Sequence, residues 1–283
     1  MRSANLKRQC QIKSLLPTST PSQSTGLSLP KVKEIFSIDL IGTTLSFEMP
    51  KCNVKREDYP WGYPSDDRPF INTITKHAYF FNPDTKRSKY LFYGNGWAID
   101  NGKWFKKQTH GVITLQLILE TPSPEEYDAY PNLFNDNFLK KWLLQFYRDR
   151  EAINDQVIFT KMEDGGLQLE FRDENDVSIV DPEDVPLKKY PQLVGGMPCY
   201  IIYLNPFVIE FALPVTKRDV LHIRFQLHSQ TEDQTILSSL RSETLNLAQQ
   251  VISTVNIKLS DDSLKDQREA NTLPYKSDDL LEN

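Results

Sequence analysis

The chain has 283 residues, of which 39% are hydrophobic and 25% charged, and a formal net charge of −5. That length allows a core of ordinary size in one large domain or two small ones. The acidic balance argues against a nucleic-acid partner, which selects for a basic face, and three cysteines (Cys10, Cys52, Cys199) are too few and too odd in number for a disulfide framework.

Residues 1–30 are rich in Ser, Thr, Pro and Gln. Such a segment cannot bury enough apolar surface to offset its ordering entropy and reads as a disordered tail. It also lacks the uninterrupted apolar stretch of a secretory signal, and no run in the chain approaches a membrane span. The expected location is cytoplasmic, or periplasmic if a leader has been removed.

The first period-two pattern is "LSFEM", which puts Leu45, Phe47 and Met49 on one face of a strand. "REDYPWGYPSDDRPF", Arg56–Phe70, follows as a long irregular loop carrying Tyr59, Trp61 and Tyr63. Such amphipathic rings serve as interface anchors or as lids over a core, and the residues alone do not separate the two roles.

"KYLFYGNGWAIDNGKWFKKQ", Lys89–Gln108, holds six aromatic residues. Asn101-Gly102 suits a two-residue hairpin turn, because both residues tolerate positive φ. That turn would set Ile99 opposite Trp104 and Trp97 opposite Lys106, with Gly94–Gly96 as a second turn. The aromatic residues then act as cross-strand packing partners. The competing reading is a ligand platform for a carbohydrate or other polymer, built on exposed Trp97 and Trp104.

"VITLQLILE" aligns Ile113, Leu115, Leu117 and Leu119 on one face of another strand. In 130–149, Leu133, Phe134, Phe138, Leu139, Trp142, Leu143, Phe146 and Tyr147 recur at three- and four-residue steps, predicting an amphipathic helix. "LQLEF" is a further strand. The run "FRDENDVSIVDPEDVP" brings Asp173, Glu174, Asp176, Asp181, Glu183 and Asp184 within twelve residues. It lacks the turn glycine and terminal bidentate glutamate of a calcium loop. A solvated loop, or an electrostatic docking surface for a basic partner, fits it better.

"LVGGMP" is a turn. "CYIIYL" and "FVIEFALP" are strands separated at Asn205-Pro206. "LHIRFQLH" buries Leu221, Ile223, Phe225 and Leu227 and is expected to expose His222, Arg224, Gln226 and His228. A second helix is predicted over 234–253, with Leu237, Leu240, Ala248, Val251 and Ile252 on one face, followed by a short strand in "TVNIKL". Residues 261–283 read as a flexible tail.

No His-x-x-x-His, Cys-x-x-Cys, G-x-S-x-G or phosphate-loop pattern occurs among these elements. No metal, cofactor or catalytic residue is assigned. The fold class is α+β: twisted antiparallel sheets covered by two main helices, in an ordered body over 31–260. That body is one domain, or two subdomains dividing near 150–165.

"IFSIDLIGTTLSFEMP" resembles the start of Mog/PsbP-like domains. "VITLQLILETPSPEEYDAYPNLFNDNFLKKWLLQF" resembles their strand, acidic connection and helix, and "LHIRFQLHSQTEDQTILSSLRSETLNLAQQVISTVNIKL" their closing strand, helix and short last strand. The resemblance implies an antiparallel sheet covered by helices. It also implies the role such domains play among bacterial immunity proteins, which bind and neutralise a toxic effector of the type VI secretion kind. On that reading the chain is a non-catalytic protein-binding module that occludes a toxin's active site. Its contact residues would be Asp173, Glu174, Asp176, Asp181, Glu183 and Asp184 with Tyr59, Trp61 and Tyr63. An unfamiliar hydrolase using paired carboxylates is the remaining alternative.

Overall fold

The computed structural model describes residues 29–40, 42–54, 80–81, 87–100, 109–155, 157–161, 167–171, 187–205, 207–229, 231, 233–270 and 272. In chain order the strands before the first helix are β1 (Lys33–Leu40), β2 (Thr43–Pro50), β3 (Phe80–Phe81), β4 (Ser88–Asp100) and β5 (Thr109–Thr121). Helix α1 (Asp136–Asp155) is followed by β6 (Val157–Lys161), β7 (Leu167–Phe171), β8 (Leu187–Lys189), β9 (Tyr200–Asn205), β10 (Val208–Pro214) and β11 (Val220–Ser229). Helix α2 (Gln234–Ser253), β12 (Asn256–Lys258) and α3 (Asp261–Ala270) close the chain. The fold is α+β with antiparallel sheets.

Seven strands form the main sheet in the order β3-β4-β5-β11-β10-β9-β8, and β1-β2-β12 form a smaller one. The main sheet draws strands from both sides of residues 150–165. Among the described residues β6 and β7 pair only with each other.

Period-two alternation gives the main sheet two distinct faces. On one, Ile113, Leu115 and Leu117 of β5, Phe211 and Leu213 of β10, and Leu221, Ile223 and Phe225 of β11 join a core with α2 and with Leu45, Phe47 and Met49 of β2. On the other, Tyr200, Ile202, Ala212 and Val220 pack against Leu139, Trp142, Leu143 and Tyr147 of α1. The main sheet therefore lies between α1 on one face and α2 with the small sheet on the other.

Helix α2 occupies its predicted residues, and all five residues of its predicted apolar face are buried. Asp233 caps it by accepting from the N–H groups of Thr235 and Ile236. Helix α1 begins later than its apolar stripe. The Asn135 side chain accepts from the N–H groups of Asn137 and Phe138 and starts the helix there. Leu133 and Phe134 are buried from the preceding turn.

Three expectations are corrected. β4 does not take the register of a two-residue turn: Asp100 pairs with Thr109 and Trp97 with Ile113. Trp97 is fully buried, and the two-residue turn would have set Lys106 beside it on the core face, where Ile113 supplies an apolar neighbour instead. Gly94–Gly96 is not a turn. It lies within β4 opposite Thr114–Gln116, beyond a register shift between Leu91 and Tyr93. Residues 261–270 are not a tail but form α3. The amide groups of Asn132 and Asn135 donate to the Asp266 and Ala270 carbonyls at 2.7 and 3.1 Å, and Lys217 pairs with Asp266 at 3.0 Å.

"LVGGMP" forms the expected turn. Val194 bridges Met197, and Gly195 and Gly196 have φ of +57° and +82°. A Cβ on Gly195 would lie 2.8 Å from Ile257 Cγ1, so the turn seats directly on β12.

Candidate functional site

Among the described residues, the densest set of chemically capable side chains lies between α1 and the main sheet. Ala212 of β10 stands opposite His222 of β11, and Glu210 opposite Arg224. These residues share a strand parity, so Glu210, His222 and Arg224 project from one face towards α1. Tyr147 reaches them from the helix.

Glu210 is the hub. Its Oε1 accepts from the Tyr147 hydroxyl and lies 2.7 Å from His222 Nδ1, while its Oε2 accepts from Arg224 Nε at 2.5 Å. Tyr147 Oη also lies 3.1 Å from His222 Nδ1. A carboxylate accepts only, so His222 Nδ1 carries the proton of that contact. The other ring nitrogen, Nε2, is buried with no hydrogen-bond partner among the described residues, as are Trp142 Nε1 and one terminal nitrogen of Arg224. Burial opposes the Arg224 charge, and the Glu210 carboxylate more than offsets it, holding the guanidinium above its ordinary pKa.

Aromatic rings close the roof. The Phe146 ring centre lies 5.4 Å from that of His222, and Trp142 stacks on Phe146 at 5.1 Å. Arg87 lies over Phe146 at 5.5 Å and forks onto Glu126, whose carboxylate also accepts from the Ser123 N–H. Burial raises the Glu126 pKa, but Arg87 and the Ser123 N–H together hold it below the usual value. On the sheet floor Glu120, nearly buried, pairs with Lys89 at 3.3 Å.

Tyrosine, carboxylate and imidazole within hydrogen-bonding reach are acid–base reagents in principle. Here Glu210 and His222 have zero solvent exposure. The carboxylate already accepts from donors on three residues, and the cluster fastens α1 to the sheet. This overturns the expectation that His222 and Arg224 are exposed. The polar parity of β11 was read correctly, but α1 covers it. A glutamate inside the apolar run "FVIEFALP" was the available signal, since Glu210 had to find partners wherever that strand was buried.

Cys199 is buried, and burial pushes its thiol pKa up; Cys52 is partly buried and donates to the Gly96 and Val54 carbonyls. Both act as packing residues. His228 is half-buried at the far end of β11 and lies 3.4 Å from Thr114 Oγ1. Among the described residues no group of three or more His, Cys, Asp or Glu side chains could hold a metal ion.

The sequence-predicted contact residues Asp173, Glu174, Asp176, Asp181, Glu183, Asp184, Tyr59, Trp61 and Tyr63 lie outside the described residues, as does Trp104. Trp97 is fully buried, with its indole N–H donating to the Pro50 carbonyl at 2.8 Å. It presents no face to a polymer, so the platform reading loses its first residue. No helix among the described residues is long and apolar enough to cross a membrane. No family model, curated protein or solved structure matches the chain.

Proposed function

We propose that the chain is a non-catalytic protein-binding module that neutralises a toxic effector by covering its active site. One observation carries this reading: the described acid–base constellation is closed beneath α1, with Glu210 and His222 wholly shielded from solvent, so it serves to hold the scaffold. A scaffold pinned in this way suits occlusion, which requires a preformed surface.

The contact residues remain those of the two loops. Tyr59, Trp61 and Tyr63 fall between β2 and β3, and the acidic set from Asp173 to Glu183 and Asp184 falls between β7 and β8. β3 and β8 are the opposite edges of the main sheet. The acidic set accelerates encounter with a basic target, and the aromatic residues slow release. The module works without a cofactor and acts in the compartment its target attacks.

The test is co-expression with the product of the adjacent gene. The expected result is suppression of that product's toxicity and co-purification of the two chains in a stable complex. Charge-neutralising Asp173, Glu174 and Asp176 together then slows association and flattens its salt dependence. An adjacent gene whose product is harmless and forms no complex with this chain overturns the reading.

A further inference from the structure

Strand β1 is an edge of the small sheet, whose order is β1-β2-β12. The Lys51 N–H donates to the Val32 carbonyl at 2.7 Å, at the next step of a register that pairs Lys33 with Pro50 and Glu34 with Met49. Opposed residues in an antiparallel ladder alternate between bonded and non-bonded pairs. Val32, Glu34, Phe36, Ile38 and Leu40 therefore turn their backbone groups towards β2. Lys33, Ile35, Ser37 and Asp39 turn theirs outward, away from β2. The same four carry the exposed side chains of the strand. Ile35 is 76% exposed and Val32, just before the strand, 66%.

An open edge of this length invites another strand. The sequence "KEIFSIDL" says which one. Laid antiparallel on itself about Phe36, the strand sets Lys33 opposite Asp39 of a second copy and Ile35 opposite Ser37. These are the residues whose backbone groups face outward, so four pairs can exchange about eight backbone hydrogen bonds. Shifting the centre to Ile35 places Lys33 opposite Ser37, and shifting it to Ser37 places Ile35 opposite Asp39. Only the register about Phe36 joins both charged pairs.

Side chains agree with this placement. Two-fold symmetry about an axis perpendicular to the sheet keeps the inner faces of both copies on one side. Phe36 meets its own counterpart in a close non-bonded pair, extending an aromatic group that already includes Phe47 at 4.9 Å and Tyr93 at 4.2 Å. The two Ile35 side chains become diagonal neighbours, and Val32 comes opposite Leu40. Existing contacts survive: Asp39 Oδ1 accepts from the Gly42 N–H, leaving Oδ2 for the partner, and Lys33 has three donors, one of which reaches Glu48 at 3.4 Å.

We propose that β1 pairs with β1 of a second copy in antiparallel register about Phe36, joining two small sheets into one six-stranded sheet across a homodimer. This goes beyond the binding of an effector, which needs only one copy.

The test is sedimentation equilibrium of the full chain over a concentration series, with far-UV circular dichroism of each variant as a check of folding. The wild type is expected to dimerise. Lys33→Glu faces Asp39 of the second copy with a like charge and raises the dissociation constant about tenfold or more. Ser37→Pro removes an outward N–H while sparing the bonds to β2, and leaves a folded monomer. A wild type that stays monomeric at its highest soluble concentration overturns the proposal. So does a dimer that Lys33→Glu leaves unweakened, or a β1 edge filled by a strand of another protein. Toxicity suppression is scored separately: a monomeric variant that still neutralises leaves the effector reading intact.

Discussion

His222 Nδ1 of β11 lies 2.7 Å from Glu210 Oε1 of β10, and neither side chain has any exposure to solvent. The pair holds the polar stripe of the sheet against α1, together with Tyr147 and Arg224. Glu210→Gln removes the negative charge that balances the Arg224 guanidinium. Leaving a buried charge without its partner costs about 3–5 kcal/mol, whereas Tyr147→Phe, which leaves Glu210 its other donors, costs about 1–3 kcal/mol. Chemical denaturation of both variants and of the double variant checks this. The double variant is expected to be more stable than the sum of the single losses predicts, because the two groups share one hydrogen bond.

The burial of Trp97 gives a second expected outcome. Trp97→Ala empties a fully enclosed site and breaks the hydrogen bond to the Pro50 carbonyl that ties β4 to the end of β2. The loss is about 3–5 kcal/mol in unfolding free energy. A ligand platform predicts the opposite pattern, a stable protein with weakened polymer binding, so unfolding and polysaccharide pull-down measured together separate the two.

Acid sensitivity follows from two groups whose folded pKa values are depressed. Burial lowers the His228 pKa from its ordinary 6.5. The Glu126 pKa is affected first by burial, which raises it, but the Arg87 and Ser123 hydrogen bonds win and the result lies below 4.5. In both cases the unfolded chain binds protons more readily than the folded one. The stability each group contributes is complete above its unfolded pKa and declines as pH falls towards its folded pKa. Stability measured from neutral pH downward is expected to fall first below about pH 6.5 and again below about pH 4.5. His228→Gln should remove the first decline and Arg87→Met should blunt the second.

Much of the fold was legible because it rests on local periodicity. Helix α2 has an uninterrupted apolar stripe and an aspartate cap, and the parity of β5 and β11 was plain from alternation. The sequence does not announce what covers a face. His222 and Arg224 looked like solvent-facing residues because the helix that buries them lies about 75–80 residues earlier, at Trp142 to Tyr147. Helix α3 escaped notice for a related reason. Its buried positions are Ser263 and Ala270, so it shows almost no apolar stripe, and its anchors are Asn132, Asn135 and Lys217 on distant segments. Asn101-Gly102 carries the local signal of a two-residue turn. The apolar pairing of Trp97 with Ile113 outweighed it.

The turn at Gly195-Gly196 yields an ordering that two single substitutions can check. Both residues have positive φ, so alanine at either one incurs backbone strain of about 1–2 kcal/mol. Their surroundings differ. A Cβ at Gly196 meets nothing within 4 Å, whereas at Gly195 it meets Ile257 Cγ1 at 2.8 Å and the Ile257 backbone nitrogen at 3.0 Å. The second contact cannot be relieved by turning a side chain, because it is to the backbone of β12, which pairs with β2 through Ile257 and Leu45. Relief requires the turn to lift or the strand to shift, and either movement loosens the small sheet. Gly195→Ala should therefore destabilise the protein clearly more than Gly196→Ala in denaturant titrations. It should also speed amide exchange at Asn256–Lys258, which Gly196→Ala leaves unchanged. Equal losses for the two variants, with β12 protected in both, would show that the turn does not brace that strand.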